Sequence, residues 1–212
     1  MTIEDRANAA LEMVYAAKTP EEIAAAYAVW AATYDAETMA VGYLLPFLIT
    51  SWVARHVPAG EGPLLDAGCG TGLSGPNVKA LGYDDIAGLD ISEDMLRIAA
   101  SRHAYTDLRQ ATLGETLPWP DDHFRAFFST GVFTMGHAPA HGLNDLVRIT
   151  RSGGHAVFTV RDGVFEKGGF RAVFDDLTRS GKWRQVEESP WFRCYALTEP
   201  EAVVKAFVFE IL

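Results

Sequence analysis

Between Leu64 and Gly75 the chain reads LLDAGCGTGLSG, a pattern whose residue types could hold a nucleotide. Apolar residues lead into Asp66, then Gly68, Gly70 and Gly72 alternate, and a helical pattern opens. Glycines there permit a tight turn and let a ligand approach the backbone at a helix N-terminus. The next apolar run ends in Asp90, followed by Ile91. A carboxylate at that strand end is placed to accept hydrogen bonds from ribose hydroxyls. A plain strand-to-helix turn would explain one glycine pair. Three glycines, an acid before them and a second acid one strand later, in this order, favour a nucleotide site. Gly70 to Gly75 also satisfies G-x-G-x-x-G, and Asp90 stands at a workable spacing for NAD. Asp66 weighs against NAD, since the dinucleotide fingerprint requires no acid ahead of its glycines. So does the chain's last quarter, which reads as an antiparallel pair rather than a second mononucleotide-binding half.

Other residues could do chemistry beside this loop. His137 and His141 follow an expected fourth strand that ends around Ser129, Thr130, Gly131 and Val132. Ligands bind outside the carboxyl ends of such strands, so these two histidines are the candidates for a general base. Two solvated loop histidines are the commoner outcome for such a pair. Tyr27, Trp30 and Tyr34 recur at i, i+3, i+7 and form one helical stripe, which serves a core or a ligand-facing surface equally well. Cys69 has no neighbouring cation to activate it and reads as a small filler. Glu187 and Glu188 read as a solvated strand edge.

The elements that must position these residues are legible from periodicity. Ile3 to Lys18 is an Ala-rich amphipathic helix. Thr19 caps a second, with Pro20 at its first position and Glu21 and Glu22 in its first turn, running to about Tyr34. A third is expected from Glu37 to His56, bent at Pro46. From Pro63 onward strands and helices alternate, the signature of a parallel sheet with crossover helices. Strands are expected at Pro63–Ala67, Asp85–Leu89, Leu108–Thr112, Arg125–Thr130 and His155–Arg161. Helices fall near Ser74–Leu81, after the cap Ser92, and at Gly142–Ile149, with Gly153-Gly154 turning helix into strand. A helix at Gly169–Arg179 and two antiparallel runs, Trp183–Ala196 and Ala202–Leu212, close the chain. This is an α/β fold: a doubly wound, mostly parallel seven-stranded sheet with one antiparallel edge strand, behind a helical N-terminal cap. One domain over 1–212 is expected, with 1–60 as cap or lid and 61–212 as core.

Composition narrows the partners. The chain has 212 residues, 28 acidic against 18 basic, and a net charge of −10. That argues against nucleic acid gripped through its phosphates and against anionic lipid, and favours a small, neutral-to-cationic ligand. Two cysteines, Cys69 and Cys194, are too few for a disulfide framework or a zinc site, and no metal is expected. With no secretory signal in view, they suit a reducing, cytoplasmic compartment. Met39 to Val57 is broken by Thr, Ser, Pro and Arg and reads as a buried helix, not a membrane span. The oligomeric state is not encoded in any of these signals.

Taken together, DAGCGTG, GLDIS, LGETLPWPDDHFRAFF (Leu113 to Phe128) and LVRITRSGGHAVFTVR (Leu146 to Arg161) resemble the Rossmann-like, class I S-adenosylmethionine-dependent methyltransferases. YAVWAATYD (Tyr27 to Asp35), TLGETLP (Thr112 to Pro118) and GKW (Gly181 to Trp183) further resemble the Williams–Beuren-region methyltransferase-like proteins. The resemblance implies that S-adenosyl-L-methionine is the cofactor. Gly68, Gly70 and Gly72 would line its methionine and ribose portions, Asp66 would sit near its amino group, and Asp90 would bind the ribose diol. Ile91 would pack on adenine, and Thr130 would lie at the transfer end. Many relatives carry an acid at the position of Leu113; here adenine recognition would fall to the backbone of Leu113 and Gly114, or to Glu115. Tyr27, Trp30 and Tyr34 would form a lid over cofactor and acceptor. STGVF stands where base and glutamine N-methyltransferases carry Asn/Asp-Pro-Pro-aromatic, so base methylation is not expected. The expected activity is in-line methyl transfer to a small-molecule acceptor. A non-catalytic binder of S-adenosylmethionine or S-adenosylhomocysteine is the alternative, and an NAD-dependent oxidoreductase a more distant one.

Overall fold

Leu64–Ala67 (β1), buried at all four positions, lies at the centre of a sheet and decides where its ligand crevice opens. In the computed structural model, which describes residues 2–212, β1 pairs in parallel with both Ile86–Asp90 (β2) and Phe124–Phe133 (β4). Asp107–Gln110 (β3) extends the sheet beyond β2, and Thr150–Arg161 (β5) extends it beyond β4, all parallel. The strand order therefore reverses at β1, and a crevice opens at the carboxyl ends of β1, β2 and β4. Val203–Ile211 (β8) runs antiparallel between β5 and Trp183–Glu188 (β6). The seven-strand order is β3-β2-β1-β4-β5-β8-β6, and the two-residue β7 (Phe192–Arg193) adds an eighth piece on β8. Among the described residues there is no second mononucleotide half, so the fold departs from the NAD-binding type.

Apolar spacing seats the helices. Pro20–Ala40 (α2) starts where expected, its Thr19 cap accepting from Glu22 N–H at 3.2 Å. It runs six residues past Tyr34, and Gly42, at φ +72°, ends the run. Leu45–His56 (α3) starts afresh with Pro46 in its first turn, where a missing N–H costs nothing. The expected single helix from Glu37 to His56 is thus two helices broken at Gly42, not one bent at Pro46. Ile49 and Val53, one turn apart, press α3 onto Leu64, Ile86, Ala126 and Val157. Of the expected 1–60 cap, then, only Ile3–Ala16 (α1) and α2 stand over the strand ends; α3 belongs to the layer under the sheet. Gly142–Arg148 (α6) and Phe170–Arg179 (α8) cover the opposite face through Leu143, Leu146, Phe170 and Phe174. Gly75–Ala80 (α4) and Glu93–Ser101 (α5) follow β1 and β2. The short Asp162–Phe165 (α7) had no periodic signal. Gly153, at φ +73°, lies inside β5 rather than before it, in a register shift that opposes Ala126 to His155.

Candidate functional site

At the carboxyl end of β1 the glycine loop is tied to β2 by its backbone. Gly68 N–H and Cys69 N–H both donate to Leu89 O, at 2.9 and 2.8 Å. Gly70 N–H donates to Asp90 Oδ2 at 2.8 Å, and Ser92 N–H to Asp90 Oδ1 at 2.9 Å. Asp90 thus has both oxygens oriented by backbone while each keeps a lone pair for a ligand. Burial raises its pKa against those hydrogen bonds. Asp66, also buried, accepts from Tyr105 Oη at 2.7 Å, and burial pushes it up to about 7. A Cβ at Gly70 would meet nothing within 4 Å, so the loop leaves open space there. At Gly72 a Cβ would strike Tyr105 and Ala99, so this glycine serves packing and does not line the crevice.

The crevice offers about 800 Å³ of space, part of it open to solvent. Its walls include Gly68, Gly70, Asp90, Ile91, Leu113, Thr130, Tyr27, Tyr34 and His137 among the expected residues. Asp66 borders an adjoining recess with Gly68, Gly70, Thr130 and Tyr34. Trp30, Gly114, Glu115 and His141 do not line the crevice. Gly114 faces Pro139 and His141, and both Glu115 and His141 are exposed on the surface. Met95, Ala111, Thr112, Pro139 and Tyr43 also line it and were not foreseen. Met95 had a signal, since its N–H is capped by Ser92 in the turn directly after Asp90. Tyr43 had none, because only the break at Gly42 brings it to the site.

A second cavity, about 570 Å³, lies against the first and shares Tyr27, Tyr34, Tyr43, Gly131 and His137 with it. Val14 and Tyr15 of α1 and Trp30 of α2 close it from above; Thr134, Thr159, Arg161, Tyr195 and Val204 close it from the strands. At the shared wall, His137 Nδ1 lies 2.9 Å from Met135 O, which can only accept, so Nδ1 carries the proton. Burial lowers the pKa of His137 and keeps the ring neutral, leaving Nε2 as a lone-pair acceptor. Tyr27 Oη donates to it at 2.9 Å. His141 is offered no such pairing.

The aromatic stripe divides. Tyr27 and Tyr34 face the crevice, whereas Trp30 is 3% exposed, packs with Val14 and Ala26, and donates to the buried Glu37 at 2.8 Å. Asp35 fastens α2 to the glycine loop by accepting from Thr71 Oγ1 at 2.6 Å, and pairs with Arg102 at the C-terminal end of α5.

A methyltransferase-domain family model matches residues 65–158, the stretch that holds the loop, Asp90 and the fourth strand. Over this stretch, somewhat under half of its length, the chain is similar to methyltransferase domains. It is 31% identical to human methyltransferase-like protein 27 over 163 residues, which is 73% of this chain and 65% of that protein. It is 30% identical to the phosphatidylethanolamine N-methyltransferase of Cereibacter sphaeroides over 59% of this chain and 63% of that one. The chain thus spans just under two thirds of the length of these curated relatives. Solved methyltransferases share the fold. A chain of the complex between the Haloferax volcanii Trm112 methyltransferase activator and a methyltransferase superposes with a TM-score of 0.64 at 17% identity, covering 87% of this chain and 97% of that one. An S-adenosylmethionine-dependent methyltransferase from Mesorhizobium loti does so with 0.57 at 17%, covering 76% and 97%.

The likeness to methyltransferase domains implies S-adenosylmethionine as the cofactor, and the site suits it. Two buried carboxylates beside an open glycine loop call for a ligand with hydroxyls and a positive group, which a ribose and an aminoacyl sulfonium provide.

Proposed function

We propose that the protein transfers the methyl group of S-adenosylmethionine to a small-molecule acceptor held in the inner cavity, with His137 receiving the acceptor's proton. The observation that carries this reading is the wall shared by the two cavities, where Tyr27, Tyr34, Gly131 and His137 belong to both. When bound, the cofactor supplies a sulfonium methyl: the acceptor's lone pair forms the new bond to carbon as the C–S bond breaks and sulfur keeps the electron pair. Asp90 would orient the ribose, Asp66 the amino group, and Ile91, Met95 and Leu113 would enclose the base. Positioning and exclusion of water then supply much of the acceleration. His137 Nε2, neutral and freed by rotation of the Tyr27 hydroxyl, would take the acceptor's proton as the bond forms.

The acceptor is proposed to be small because α1 and α2 both line the inner cavity over the strand ends and narrow it. These two helices are proposed to act as a lid that opens for exchange. No helix among the described residues is long and apolar enough to cross a membrane. A cytoplasmic location, with Cys69 and Cys194 free and buried, goes with this reading. The test is label transfer from methyl-labelled S-adenosylmethionine into a small-molecule extract by the purified protein. Label in a new product is expected. Binding of S-adenosylhomocysteine with no transfer into any extract would favour the non-catalytic reading instead.

A further inference from the structure

The inner cavity holds a charge opposite in sign to the molecule's own. Arg161 ends β5 with its side chain mostly buried in the cavity wall. Its Nη1 donates to Tyr15 Oη at 2.6 Å, and the guanidinium lies over the Tyr15 ring, 5.6 Å from its centroid. Tyr15 is the one hydrogen-bond acceptor it finds among the described residues, so most of its fork of N–H donors stays unused. The nearest carboxylate, Glu199, stands 3.8 Å from Nη2, beyond hydrogen-bonding range, and is about a third exposed (31%). No Asp or Glu lines the cavity.

Two further donors point to the same need. Tyr15 accepts from Arg161, so its own O–H remains to be given, and burial keeps that phenol protonated. Thr134 has a buried hydroxyl with no partner in the same wall. A mostly buried cation with unused donors, beside a free phenol and an unpaired hydroxyl, is a site short of one anion. The wall also carries four aromatic residues, Trp30, Tyr34, Tyr43 and Tyr195, among aliphatic ones. Such a lining alone would also suit an alkylammonium ion. Arg161 in the same small space would repel it, and its ion-pair partner Glu199, at 3.8 Å, stands outside the lining. The net charge of −10 favours a neutral or cationic ligand only at long range, where water and salt screen it. Inside the cavity the local cation decides.

We infer that the methyl acceptor is a small organic anion, a carboxylic acid with a flat apolar body, whose carboxylate is held by Arg161, Tyr15 and Thr134 while a separate hydroxyl or amine faces His137. This rests on the methyl-transfer reading above and adds the substrate class to it. The carboxylate is an anchor and is not itself methylated.

The test separates an extract by ion exchange into acidic, neutral and basic small molecules, then offers each fraction to the protein with methyl-labelled S-adenosylmethionine. Label is expected from the acidic fraction, in a product that an anion exchanger still retains. Arg161→Gln is expected to raise KM for that substrate about tenfold or more, with kcat and S-adenosylhomocysteine affinity within a few-fold and partial recovery in Arg161→Lys. Label from the neutral or basic fraction alone would overturn the inference and leave methyl transfer standing. Label from the acidic fraction in a neutral product would put the anion at the methyl group, and the anchor at Arg161 would be wrong. An unchanged KM in Arg161→Gln would also overturn it. No label from any fraction, with S-adenosylhomocysteine still bound, would bring down the methyl-transfer reading and this inference with it.

Discussion

The two cavities are neighbours, yet they are built in different ways. The outer crevice takes most of its wall from one stretch of chain, Gly68 to Pro139, where each strand end delivers its loop directly to the ligand. The inner cavity draws on α1, α2, the end of β4, the end of β5 and the C-terminal strands, from Leu11 to Val204. A local wall can be written as a motif. An assembled wall exists only once distant segments have met, so its specificity is free to change while the cofactor site stays put.

The sharpest way to break this contrast is at the shared wall. His137→Ala should lower kcat by roughly 10²- to 10⁴-fold, the range of a general base, while S-adenosylhomocysteine affinity changes by only a few-fold. Steady-state kinetics beside calorimetry would show it; equal losses in rate and cofactor binding would mean that the histidine belongs to the outer crevice alone.

The aromatic stripe offers the next test, because it crosses from one region to the other. Trp30→Ala should cost about 3–5 kcal/mol of unliganded stability, since it empties a packed site and takes a partner from buried Glu37. Tyr34→Ala should spare stability by comparison and speed cofactor dissociation. Amide exchange over residues 15–35 should slow when S-adenosylhomocysteine is added; unchanged exchange would make these helices fixed core rather than a lid.

Asp66 sharpens the comparison through pH. Burial raises its folded pKa to about 7, above the ordinary carboxylate value of 3.8. The folded state therefore holds this proton more tightly than the unfolded one. The contribution is complete below about pH 4 and is lost as pH rises through 7, by up to about 4 kcal/mol at 1.36 kcal/mol per unit. Denaturant titrations of Asp66→Asn should lack that fall, and a matching slope in both proteins would refute it. The smallest effect concerns the ribose anchor. Asp90→Ala should weaken S-adenosylhomocysteine by about 1.5–3 kcal/mol, as for a charge-assisted hydrogen bond, and a loss below about 0.5 kcal/mol would remove Asp90 from the cofactor's partners.

The same contrast explains what could be read in advance. Asp66, Gly68, Gly70, Asp90 and Ile91 were legible because β1, β2 and their loops are consecutive, and a parallel sheet places consecutive strand ends side by side. Periodicity leaves Trp30 open between core and ligand-facing surface, and only the family resemblance placed it over the cofactor; α1 packs against it. Tyr43 was invisible because its position depends on the left-handed backbone at Gly42. Arg161 read as the last residue of a strand and nothing more. Its partner Tyr15 lies 146 positions away, and no local pattern reports such a pairing.

The placement of β8 also constrains how the molecule comes into being. The last strand of the chain is an interior strand of the sheet, hydrogen-bonded to β5 on one side and β6 on the other. During synthesis the outer crevice can form before β8 has left the ribosome, whereas the inner cavity must wait for Val204 and the Tyr43–Tyr195 bridge. Until then β5 exposes an unpaired, strongly apolar edge, Ala156 to Val160, a surface prone to self-association. The segment that completes the acceptor site is thus the one that ends this hazard. Variants that loosen the inner cavity through β8 should lower soluble yield before they alter the activity of what has folded.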